Sequence, residues 1–78
     1  MNIDKIRKDI LKKKGNTFAF KFKGARNQVD EFIGKIVSVY QSVFTIEVTG
    51  KVKRIKSFSY NDILIHNLEI KEVAINQS

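Results

Sequence analysis

The hydrophobic period of this chain changes at Gly15, and that change decides what it can fold into. Before Gly15, the residues Ile3, Ile6, Ile10 and Leu11 stand at i, i+3, i+7 and i+8, one apolar stripe of an α-helix. After it, Phe18, Phe20 and Phe22 alternate with Thr17, Ala19, Lys21 and Lys23, the pattern of a half-buried strand. A helix turns about 100° per residue and a strand about 180°, so neither segment can take the other's conformation without scattering its apolar side chains. The ends agree with the period. Asn2 is placed to cap the helix, Asp4 lies in its first turn, and Lys12, Lys13 and Lys14 meet the negative end of its dipole. Gly15 is the expected stop. The spacing therefore predicts a helix over residues 3–14.

The remaining chain keeps the period of two. Gly24-Ala25-Arg26-Asn27 reads as a turn, with Gly24 and Asn27 able to take a positive φ. Residues 28–40 form a long second strand, and Gly34 inside it marks an expected bulge or sharp bend. Gln41-Ser42 makes a tight connection. Residues 43–49 follow as a third strand, with Phe44, Ile46 and Val48 on one face. Thr49-Gly50-Lys51 is a hairpin turn and residues 52–59 a fourth strand. Tyr60 to Leu64 reads as a single helical turn that Ser59 or Asp62 can cap, with Tyr60, Ile63 and Leu64 as plugs. A fifth strand spans residues 68–74, and the last residues fray.

One helix and five short strands predict a mainly β fold: an N-terminal helix followed by a small, partly open, five-stranded SH3-like or Sm-like antiparallel barrel. A flat sheet of that size would leave long edges open, so closure is expected. The 78 residues make one domain, with the helix in residues 1–15 and the barrel in residues 16–75. The chain has no Cys, so six Phe and eleven Ile must hold the core without disulfides. A core this thin leaves room for a homodimer.

Charge is as uneven as periodicity. Met1 to Arg26 holds nine Lys/Arg against two acids, whereas six bases and six acids cancel over the remainder. The whole net charge of +7 therefore sits in the N-terminal third. Such a surface concentrates anions and predicts an acidic macromolecular partner, either a protein regulator or a nucleic acid. The apolar runs are too short to insert into a membrane, and the charged start has no apolar secretory core, so the expected compartment is the cytoplasm.

Catalytic and metal-binding sets are hard to assemble from these residues. His66 is the one histidine, and with no Cys a zinc site would need carboxylates almost alone. Asp30-Glu31 and Glu69/Glu72 each have lysines nearby and read as solvated charge. No glycine spacing matches a phosphate loop. An enzyme, a cofactor and a metal are therefore not expected. The candidate contact residues are the basic ones and two rings. Lys12, Lys13 and Lys14 end the helix; Lys21 and Lys23 share a strand face expected to meet water, beside Arg26 in the turn. Lys53 and Arg54, with Lys51 and Lys56, form a second cluster around Gly50. If the clusters converge, they make a phosphate-contacting face. Tyr40, Phe58 and Tyr60 are the rings that can be exposed for base stacking; core-edge packing with a bonded hydroxyl is the other reading of the tyrosines.

At Val39-Tyr40-Gln41-Ser42-Val43-Phe44-Thr45-Ile46, and again at Ser57-Phe58-Ser59-Tyr60-Asn61-Asp62-Ile63-Leu64, the chain resembles the Veg family of small bacterial proteins. The Asp-containing helix start, the Gly15 stop, the Gly24-Ala25-Arg26 turn and Gly34 also stand in the family's order, so the similarity runs over nearly the whole chain. The family tends to carry more basic residues after that turn, where this chain has Asn27 and Gln28. The resemblance implies a non-enzymatic regulator that stimulates biofilm formation through control of matrix-gene transcription and interference with a repressor. It implies no catalytic or ligand residue. The competing reading from the residues is a nucleic-acid-binding SH3-like or Sm-like module.

Overall fold

A computed structural model describes residues 3–73 of the chain. Helix α1 (Ile3–Lys13) is followed by strands β1 (Thr17–Lys23), β2 (Val29–Val39), β3 (Val43–Val48) and β4 (Arg54–Ser59). A short helix, α2 (Tyr60–Leu64), leads into β5 (Leu68–Glu72). The expected cap Asn2 and the expected strand end at Ala74 lie outside the described residues.

All five strands are antiparallel and lie in one sheet in the order β4-β3-β2-β1-β5. The sheet does not close: β4 and β5 are its two ends. It is nevertheless strongly curled. Phe22 on β1 and Phe58 on β4 stand three strands apart, about 14 Å in a flat sheet, yet their ring centroids are 5.2 Å apart. Helix α2 connects the end of β4 to β5, and α1 packs on α2 and β2.

The inner face carries the core. Ile10, Phe20, Ile36, Phe44, Ile46, Phe58, Tyr60 and Leu68 are buried, with Phe18, Phe22 and Phe32 packed partly against them. Phe20 and Phe58 each stack on Phe32, at 5.3 Å and 6.0 Å between centroids. Phe58 is thus a core ring and not an exposed one. The strand starts at Arg54, two residues later than expected, and pairing of Phe58 with Phe44 turns it inward. Helix α1 commits less of its stripe than its period implies. Ile10 is buried, whereas Leu11, about 100° further round the helix, is 55% exposed.

One turn differs from expectation in one of the residues that bear it. The left-handed backbone falls on Arg26 (φ 60°) and Asn27 (φ 61°), not on Gly24, whose N–H donates to the Gln28 carbonyl at 2.7 Å. Gly15 does take a left-handed φ of 87°, and its N–H donates to the Ile36 carbonyl at 2.7 Å, tying the end of α1 to β2. The register shift in β2 lies between Ile36 and Ser38, not at Gly34. Gly34 is regularly paired to Phe18 and Val48 and serves close approach: a Cβ there would stand 2.5 Å from Ile46 Cγ2 and 2.9 Å from the Glu47 carbonyl oxygen.

Candidate partner-binding surface

Helix α1 presents its cations as a row. Lys5, Lys8 and Lys12 repeat at i, i+3 and i+7, which is one helix face, and all three are exposed. They rim a groove of about 580 Å³ whose apolar lining is Ile6 and Ile10 from α1, Ile63 from α2 and Ile70 from β5. Asp9 also lines the groove, and Lys13 Nζ sits 2.8 Å from its Oδ2, so that acid is already matched within the helix. Lys14 follows in the turn after α1, exposed and outside the groove lining.

Two other predicted cations, Lys21 and Lys23, have acidic company. Lys21 pairs across the sheet with Glu31 on β2 and with Glu69 on β5. Lys23 Nζ lies 3.6 Å from Glu69 Oε2. Arg26 is exposed in its turn. The N-terminal excess of charge is therefore met, on the outer face of β1, by acids from later in the chain.

The cluster around Gly50 lies elsewhere. Lys53 lines a cleft of about 300 Å³ with Thr17, Lys35 and Glu47. Thr17 begins β1 and Lys23 ends it, so this cleft and the Lys23 end are about 20 Å apart along the strand. Lys53 is therefore set apart from the Lys23 end. Arg54 pairs with Val48 at the start of β4. Lys56 is turned inward, with Nζ 3.3 Å from Asp30 Oδ2 and 5.4 Å from the centre of the Phe32 ring.

The two tyrosines part company. Tyr40 is 56% exposed and lines a groove of about 440 Å³ with Arg7, Lys8 and Leu11. Tyr60 is buried, and its hydroxyl donates to the Tyr40 and Val43 carbonyls. It is a core residue with a satisfied hydroxyl and offers no ring for stacking. Burial raises its pKa above 10.0, with the charge of Arg7 pulling the other way. Ser59 caps α2, and with Asp62 it forms a reciprocal capping box: Ser59 Oγ accepts from the Asp62 N–H at 3.3 Å, and Asp62 Oδ2 accepts from the Ser59 N–H at 3.4 Å.

Lys5 and Lys8 stand in the groove but outside the predicted contact set. Their spacing with Lys12 was the available signal, because it marks one helix face as clearly as the isoleucines mark another. His66 is exposed in a left-handed turn (φ 63°). Among the described residues no group of three or more His, Cys, Asp and Glu is placed to hold a metal ion. No helix of the described residues is long and apolar enough to cross a membrane.

Fold and surface together define a small, basic, antiparallel-β protein with an apolar groove rimmed by lysines. The family model described as "Biofilm formation stimulator VEG" matches residues 1–71, and the chain belongs to that family. No curated protein matches the chain.

Proposed function

We propose that this chain is a non-enzymatic, cytoplasmic regulator of biofilm formation that acts on transcription by contacting another protein, and that α1 carries the contact. The observation behind this reading is the groove at α1, where an apolar lining of four isoleucines lies beneath Lys5, Lys8 and Lys12. Apolar floor with charged rim is the make-up of protein interfaces. A groove for single-stranded nucleic acid instead sets aromatic rings among its cations, and no ring lines this one. The neutralised outer face of β1 also argues against a continuous phosphate track. The curled sheet, with α2 linking β4 to β5, we read as an SH3-like or Sm-like variant spanning the chain as one domain.

Isolation of the tagged protein from cell lysate, with and without nuclease, tests the proposal. Protein partners retained after nuclease support direct contact. Partners lost with nuclease, together with oligonucleotide affinity that falls steeply with salt, favour the nucleic-acid reading instead.

A further inference from the structure

The groove at α1 lies beside an unfinished sheet edge. Strand β5 ends the sheet, and among the described residues no strand pairs on its outer side. The Lys23 N–H donates to the Asn67 carbonyl at 2.8 Å, which sets the phase of the β1–β5 ladder. Antiparallel hydrogen bonding alternates along a strand, so Glu69 and Lys71 face β1 in this phase, while the main-chain groups of Ile70 and Glu72 point to the open side. An open edge with free N–H and C=O groups is a template for a further strand. Here the side chain of Ile70 also lines the groove, so a strand added at this edge would turn alternate side chains onto Ile10, Ile63 and Ile70. Its flanks would then lie beneath Lys5, Lys8 and Lys12.

We propose that the groove between α1 and β5 captures an extended acidic segment of a partner protein, which adds as a sixth strand on β5, sets apolar side chains on Ile10, Ile63 and Ile70, and places carboxylates against Lys5, Lys8 and Lys12. The proposal rests on the protein-contact reading and specifies the partner's chemistry. Charge complementarity selects the occupant: the free cations at the rim outnumber Asp9, which Lys13 already engages. Apolar alternation in the captured segment is required because only every second residue of a strand faces the groove.

The test is fluorescence anisotropy with a labelled peptide of alternating Val and Thr at its centre and Glu at both flanks, using the full chain. The proposal expects saturable binding, weakened roughly tenfold or more by Lys5→Glu with Lys12→Glu, whose folding is checked by circular dichroism. It also expects the Ile70 and Glu72 amides to gain protection from hydrogen exchange when the peptide is present. A copy of the peptide N-methylated at alternate residues, which cannot complete the ladder, should bind at least tenfold more weakly. If the N-methylated copy binds equally and the β5 amides gain no protection, strand addition is wrong while protein contact survives. If the peptide does not bind and single-stranded DNA or vesicles rich in anionic lipid do, with the same lysine dependence, the protein-contact reading itself is overturned.

Discussion

Replacing Gly34 with Ala probes a close approach of β2 and β3. The added Cβ would stand 2.5 Å from Ile46 Cγ2 and 2.9 Å from the Glu47 carbonyl oxygen. Ile46 is fully buried, and Glu47 is held in ladders on both sides, paired to Lys35 and to Ile55. Neither can step aside alone, so β2 and β3 must separate. Forcing extra volume into a packed core costs about 1–3 kcal/mol, and the stiffer unfolded chain returns about 0.4–1 kcal/mol. With one of the two clashes against backbone, the net loss is about 2 kcal/mol. In a domain of this size that lowers Tm by roughly 8–16 °C. Gly50→Ala is the control: the nearest atom to its Cβ is the Val52 carbonyl oxygen at 3.9 Å, and its backbone is not left-handed. It should change stability by about 0.5 kcal/mol or less. Thermal melts followed by circular dichroism decide the matter. A Gly34→Ala melt equal to that of the parent chain would refute the packing argument.

Three further outcomes follow from the same contacts. Phe20→Ala should cost about 3–5 kcal/mol in urea denaturation, since the ring is buried and stacked on Phe32; a loss under about 1 kcal/mol would take Phe20 out of the core. Lys21→Glu with Lys23→Glu should lower stability by about 1–2 kcal/mol at low salt, because it faces new carboxylates with Glu31 and Glu69; an unchanged melt would mean those acids point away. Tyr60 has a raised pKa in the folded protein, so its contribution to stability is fully present below pH 10.0 and is lost as the pH climbs through the folded value. Urea denaturation on either side of pH 10.0 should show that loss in the parent chain and a smaller one in Tyr60→Phe, and equal losses would contradict it.

Much of this architecture is legible along the chain. The alternation of Phe18, Phe20 and Phe22 places β1 and its inner face, and Ser59 with Asp62 announces α2. Both are local patterns whose reach is a few residues. What escaped depends on residues far away in sequence. The role of Gly34 is set by Ile46 across the ladder, so the glycine alone reads as a bend. Phe58 shares its strand face with Arg54 and Lys56, a pattern that looks polar until Lys56 is seen to reach Asp30. The cations of β1 look free until the register places Glu31 and Glu69 beside Lys21. Closure of a sheet is likewise a property of its ends, and here β4 and β5 are joined by α2 and not by a ladder. The groove at α1 was half legible: the repeat of Lys5, Lys8 and Lys12 is in the chain, but its partners Ile63 and Ile70 come from elements some fifty and more residues on.

The central claim is that α1, and not the Gly50 loop, carries the function. It is tested most directly by biofilm mass in cells whose sole copy of the protein carries either Lys5→Glu, Lys8→Glu and Lys12→Glu, or Lys51→Glu, Lys53→Glu and Arg54→Glu, each confirmed as folded and equally abundant. The account predicts that the helix variant loses stimulation of biofilm formation and the loop variant keeps it. Full stimulation by the helix variant, or loss confined to the loop variant, would contradict it.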